Sequence, residues 1–147
     1  MNSPATTYLS LGSNMGCREA NLREAVRRIS DLPGTDVEAV SSFLETGPEG
    51  IWNGVPEQNF VNCCVRVKTA LEPLELLHAL KVIEEDMGRV CAVRYDGSGR
   101  RVYSDRPIDI DILLYSDLSL DSEELKIPHP RMQERDFVMK PLGEVLL

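Results

Sequence analysis

The chain has 147 residues, enough for one domain that buries about 68–70% of its unfolded surface. Sixteen basic against 24 acidic side chains leave a formal charge of −8, which argues against a nucleic-acid partner, and a hydrophobic content of 42% sets the chain apart from disordered sequences. No apolar run approaches the ~18 residues of a membrane span, and no charged segment followed by an apolar core opens the chain, so a cytoplasmic protein without a membrane partner is expected.

A strand is expected over residues 6–11. It runs into Gly12-Ser13-Asn14-Met15-Gly16, a turn in which Ser13 or Asn14 can cap the following helix. That helix carries Leu22, Ala25, Val26, Ile29 and Leu32 at three- and four-residue steps, and Pro33-Gly34 ends it. A glycine turn before a helix can receive phosphate, but there is no Walker-type Lys-Ser/Thr pair, and an ordinary strand-to-helix turn fits the pattern as well.

A second strand is expected over residues 37–44. Residues 45–59, with three Gly, two Pro and the chain's only Trp, form a long loop of the kind that carries function. The strand over residues 60–68 places Asn62 beside Phe60 on one face. An amide next to an aromatic suits a flat heterocycle, and it is also compatible with a plain polar face. The second helix opens at Pro73, buries Leu76, Leu77, Leu80, Ile83 and Met87, and stops at Gly88, with Glu84 at the edge of that stripe and His78 on the surface.

Residues 90–105 form a second long loop, with Asp96-Gly97-Ser98-Gly99 at its tip and a small hairpin pairing residues 93–95 with 101–103. Seven of the twelve arginines lie between Arg89 and Arg135, a local cationic cluster that suits a compact polyanion such as a nucleoside triphosphate. The loop is either a solvated arginine segment or a lid over phosphates.

Next comes Arg106-Pro107-Ile108-Asp109-Ile110-Asp111-Ile112-Leu113-Leu114-Tyr115. As a strand it points Ile108, Ile110, Ile112 and Leu114 one way and Asp109, Asp111, Leu113 and Tyr115 the other. The two carboxylates stand roughly 6.6 Å apart along the chain. They suit either a solvated face or a Mg²⁺ site. The poor strand propensity of Asp, and Leu113 on the same face, favour the metal. After an acidic segment, Ile127-Pro128-His129-Pro130-Arg131 holds His129 in a proline-stiffened turn. A short helix from about Pro130 ends with Arg135-Asp136-Phe137-Val138-Met139. Cys17, Cys63, Cys64 and Cys91 show no C-x-x-C spacing and read as buried free thiols.

The element order β-α-β-β-α-β gives an α+β class. The expected fold is a ferredoxin-like split β-α-β with an antiparallel sheet, both helices on one face and the long loops and ligands on the other.

Six blocks in order resemble the hydroxymethyldihydropterin pyrophosphokinases of folate synthesis. They are Leu11-Gly12-Ser13-Asn14-Met15-Gly16, Glu45-Thr46-Gly47-Pro48-Glu49-Gly50, Phe60-Val61-Asn62, the stretch from Ile83 to Arg89, the Asp109 strand, and the stretch from Ile127 to Phe137. The resemblance implies pyrophosphoryl transfer from ATP to 6-hydroxymethyl-7,8-dihydropterin, with AMP released. It implies two Mg²⁺ ions on Asp109 and Asp111, and Arg89 and Arg106 on the phosphates as catalytic arginines. Glu84, Ile112, His129 and Arg135 would be further ATP contacts. Phe60 and Phe137 would sandwich the pterin ring, Asn62 would bond its edge, and Thr46 with residues 47–50, Gly47 and Glu49 included, would complete the pocket. A monomer is expected.

The chain departs from the family pattern in the segment between Arg89 and Arg106, which is longer than in compact members and leaves Arg94, Arg100 and Arg101 without assigned roles. Tyr103 stands where some members have Trp, Ser104-Asp105 replaces Gly-Pro, Cys91 stands where an arginine can occur, and Lys81 where Gln can. A non-catalytic ferredoxin-like sensor would share the fold but leave the aligned Asp pair unexplained. Another Mg²⁺-dependent transferase would not need Phe60, Asn62 and Phe137 together.

Overall fold

The computed structural model describes residues 4–14, 16–46, 60–90 and 108–147, with the side chains of Thr46, Arg89 and Val90 left out. Strand β1 (Ala5–Ser13) is followed by helix α1 (Arg18–Ser30), β2 (Thr35–Val40), β3 (Leu44–Thr46), β4 (Phe60–Thr69), α2 (Pro73–Val90) and β5 (Asp109–Tyr115). A two-stranded hairpin, β6 (Leu120–Asp121) and β7 (Lys126–Ile127), a 3₁₀ turn at Met132–Glu134 and helix α3 (Asp136–Val145) complete the order.

The main sheet runs β2-β4-β1-β5, with β3 pairing β4 farther along, and every pairing is antiparallel. β1 and β2 are therefore parallel to each other, with β4 between them. The class is α+β, as expected. Alternation along the strands sends Leu9 and Leu11 of β1, Val61, Cys63, Val65 and Val67 of β4, and Ile110 and Ile112 of β5 to one face. Leu22, Ala25 and Ile29 of α1 and Leu76, Leu80, Ile83 and Met87 of α2, at helical spacing, close over that face as the main core.

The opposite face was expected to be left to ligands, and only half of it is. Met132, Val138, Leu142 and Val145 bury Tyr8, Cys64 and Leu113 in a second core. The helix responsible runs well past Met139 and through Pro141. A proline in a helix interior costs about 3 kcal/mol, but each buried aliphatic side chain contributes about 1.5–3 kcal/mol. Val138, Leu142 and Val145 together outweigh the proline. The C-terminus is also tied down: the Arg66 guanidinium donates to the Val145 carbonyl at 2.7 Å, and Glu144 accepts from the Ser42 N–H and hydroxyl at 2.9 and 2.7 Å.

Other expectations need correction. The strand expected over residues 37–44 is two strands, separated at residues 41–43, where the Ser41 hydroxyl accepts the Cys64 N–H at 2.8 Å. β1 continues through Gly12 and Ser13, so the turn begins later than expected. Helix α1 starts after Cys17 with no side-chain cap; Ser13 instead accepts the Asn21 amide at 3.2 Å. Cys63 and Cys64 are buried on opposite faces, as expected, but Cys17 is exposed. A bulge sets Leu9 opposite Ile112 and Tyr8 opposite Leu114. Past it the strand changes phase: Leu114 joins the second core, and Tyr115 faces the helices, donating to the Leu71 carbonyl at 2.7 Å. The loop expected over residues 45–59 starts later, because Glu45 and Thr46 pair with β4 as part of β3, and the loop expected over residues 90–105 starts after Val90, the last residue of α2. Residues 47–59 and 91–105, with the proposed hairpin and its tip, lie outside the described residues.

Candidate active site

Strand register assembles the site. Asn62 of β4 pairs with Gly12 of β1, which pairs with Asp109 of β5, forming one row across three strands. Two residues along, Cys64, Ser10 and Asp111 form the next row on the same face. Neighbouring strands lie about 4.8 Å apart, so Asn62 and Asp109 stand roughly 10 Å from each other across the glycine. Gly12 leaves room there for the Asn62 amide. A Cβ at this position would sit 2.7 Å from Asn62 Oδ1 and 3.8 Å from Phe60 Cδ1.

Over these rows opens a cavity of about 510 Å³. Its floor is Ser10, Gly12, Asn62 and Leu113, and Phe60 and Phe137 stand half-buried in its walls. The Arg135 guanidinium lies over the Phe137 ring, 5.6 Å from its centroid, and faces the same space. A second cavity of about 350 Å³ lies on the α2 side of β5, bordered by Leu77, Lys81, Glu84, Ile112 and Lys126. Asp109, Asp111 and His129 border both. The carboxylate pair thus stands where the two spaces meet.

His129 is held by its backbone N–H, which donates to the Leu113 carbonyl at 3.0 Å. Burial, then the charge on Arg135, keep its ring below the ordinary histidine range. The Arg131 N–H donates to His129 Nδ1 at 3.3 Å, so the neutral ring is assigned its proton on Nε2 and offers one donor. Glu84 accepts the Ile110 N–H at 3.2 Å. Burial, then the neighbouring Asp109 and Asp111, push its carboxyl up to about 7, against the lowering effect of that bond. Among the described residues no group of three or more His, Cys, Asp or Glu side chains is arranged to hold a metal ion.

Phe60, Asn62 and Phe137, expected together, do line one cavity. Glu84 and Ile112 border the other, although the Ile112 side chain is only 3% exposed and belongs to the core. Arg135 is beside Phe137 rather than beside Glu84. His78 is exposed and paired with Glu124 at 2.9 Å, as a surface histidine should be. Thr46 pairs with Phe60 through its backbone. Arg89 lies in the last turn of α2, its side chain outside the description, and Gly47, Glu49, Cys91, Arg94, Arg100, Arg101, Tyr103 and Arg106 lie outside the described residues. Leu113 lies on the face of Asp109 and Asp111, as expected, whereas sequence reasoning missed Ser10 and Gly12 as floor residues. A glycine inside a strand pattern marks close approach, and that signal was available for Gly12.

The family model described as 7,8-dihydro-6-hydroxymethylpterin-pyrophosphokinase matches residues 8–146. The chain belongs to this pyrophosphokinase family. The 2-amino-4-hydroxy-6-hydroxymethyldihydropteridine pyrophosphokinase of Bacillus subtilis is 41% identical over 138 residues, spanning 94% of this chain and 76% of that protein. The protein of the same name from Porphyromonas gingivalis is 42% identical over 142 residues, 96% of this chain and 90% of its own length. The Folate synthesis bifunctional protein, mitochondrial, of Arabidopsis thaliana is 41% identical over 138 residues, which cover 94% of this chain but 23% of that protein. The pyrophosphokinase match takes in β1 from Tyr8 onward, all of β4 and β5, and helix α3, which carries Phe137. Among the described residues no helix is long and apolar enough to cross a membrane.

Proposed function

We propose that the chain transfers a pyrophosphoryl group from ATP to the hydroxymethyl oxygen of 6-hydroxymethyl-7,8-dihydropterin in folate synthesis. One observation carries this reading beyond family membership: a single pair of carboxylates, Asp109 and Asp111, borders two cavities of different character.

The larger cavity suits the pterin. A flat ring stacks between Phe60 and Phe137, and its peptide-like edge meets the Asn62 amide. The smaller cavity, bordered by Lys81 and Lys126 but also by Glu84, Glu123 and Glu124, suits the nucleotide as its Mg²⁺ complex, its phosphates directed to the shared carboxylates. Asp109 and Asp111 would hold Mg²⁺, two ions on the family pattern, which when bound neutralises phosphate charge and acts as a Lewis acid. His129 contributes a neutral N–H donor at the junction and Arg135 a fixed cation beside the pterin wall. Arg89 and Arg106 are proposed as further phosphate ligands. The pterin alcohol attacks the β-phosphorus and loses its proton, an O–P bond forms, and the bond from the β-phosphorus to the oxygen retained by AMP breaks. Most of the work asked of the protein is placement of the two substrates in line.

The test is the product. With ATP, Mg²⁺ and the pterin together, AMP is expected, and omission of any one abolishes it. ADP as the nucleotide product, or AMP formed without pterin, would overturn the assignment.

A further inference from the structure

Buried hydroxyls are normally hydrogen-bonded, and among the described residues they are, with one exception. Thr35 and Thr69 bond each other at 2.8 Å, Ser41 accepts the Cys64 N–H, Ser13 accepts the Asn21 amide, and Thr7 donates to the Ala5 carbonyl at 3.4 Å. Ser10 is 7% exposed and lines the larger cavity, yet its hydroxyl has no hydrogen-bond partner among the described residues. Its cross-strand neighbours do not serve it. The Cys64 thiol donates to the Val138 carbonyl at 3.5 Å, and Asp111 lies on the other side, at the junction of the cavities.

Without a protein partner the hydroxyl is left to cavity solvent in the ligand-free protein, so alanine would fill the same strand position at little cost to the fold. The group faces a space shaped for a ligand. Ser10 borders the cavity of Phe60, Asn62 and Phe137 and does not border that of Glu84, so the ligand it faces is the one stacked between the aromatic walls. It lies two residues from Gly12 on the same face, roughly 6.6 Å along the strand from the row of Asn62. A bicyclic ring spans that distance. A hydroxyl both donates and accepts, so it can meet either a ring N–H or a ring lone pair.

We propose that Ser10 is a specificity-determining residue whose hydroxyl hydrogen-bonds the pterin. The proposal rests on the pterin occupying the larger cavity, and its test separates the two. Ser10→Ala removes one oxygen. Wild type and variant would be titrated calorimetrically with 6-hydroxymethylpterin in the presence of Mg²⁺ and a non-hydrolysable ATP analogue, then with the analogue alone. Thermal unfolding of the ligand-free proteins would be compared alongside. The expected result is pterin binding weakened about five- to tenfold in the variant. Nucleotide binding stays unchanged, and the ligand-free variant melts close to the wild-type temperature, because no hydrogen bond within the protein has gone. Equal pterin affinity in the two proteins would overturn the proposal, and so would a ligand-free variant that melts well below the wild type, which marks a structural role. Failure of the wild type to bind the pterin would instead remove the cavity assignment, and the Ser10 proposal with it.

Discussion

Gly12 makes the sharpest prediction at the scale of single residues. Its missing Cβ is what lets Asn62 Oδ1 lie across the centre of the floor. Gly12→Ala must push the amide aside, and overpacking of this kind costs about 1–3 kcal/mol. The expected outcome is a lower unfolding midpoint in urea, together with weaker pterin binding and intact nucleotide binding. Asn62→Ala should likewise weaken pterin binding in preference to ATP binding, since a buried hydrogen bond lost with its partner left behind costs about 1–3 kcal/mol. Calorimetry with each ligand checks both variants, and equal losses for the two ligands would count against the division of the cavities. The Asp pair was legible in the sequence because a strand has period two and both residues belong to one segment. Gly12 and Ser10 were not. Their place on the floor depends on which residues they meet across β4 and β5, and on a bulge, and cross-strand pairing is not written in local pattern.

At the scale of elements, the helices and long strands were readable because their periodicity is strong: Leu76, Leu80, Ile83 and Met87 after Pro73 admit one reading, although α2 does not stop at Gly88 as expected but continues through it to Val90. The misread elements are those decided by tertiary contacts. Helix α3 continues through Pro141 because the second core holds it, and the split between β2 and β3 follows from Ser41 bonding to Cys64. The same second core places Phe137 at the cavity. Leu142→Ala, at a position 2% exposed, should therefore destabilise the protein by about 2–5 kcal/mol in denaturant titrations. Helix α1 gives a pH prediction. Hydrogen bonds from Arg27 at 2.6 Å and Arg28 at 3.0 Å lower the Glu24 carboxyl from its ordinary 4.5 to about 2. A carboxyl depressed in the folded state contributes stability that is present above pH 4.5 and lost as pH falls through about 2. Glu24→Gln should unfold at lower urea than wild type at pH 6, and the two curves should converge near pH 2. The gap should be small and narrow further in salt, because all three side chains reach solvent at the surface of α1.

At the scale of the whole molecule, the described residues form a five-stranded sheet with α1 and α2 packed behind it and α3 covering part of its front, and β4, β1 and β5 supply the floor of the site. The uncovered half holds a space for a flat ring, and a second space beyond β5 meets it at Asp109, Asp111 and His129. The central claim is that the Asp pair serves the transfer while Phe60, Asn62 and Phe137 hold the acceptor. Its most direct test is AMP formation by Asp111→Ala, measured together with pterin binding and thermal unfolding. Turnover should fall by on the order of a hundredfold or more, with the fold intact and the pterin still bound. Turnover near wild type in that variant would contradict the account.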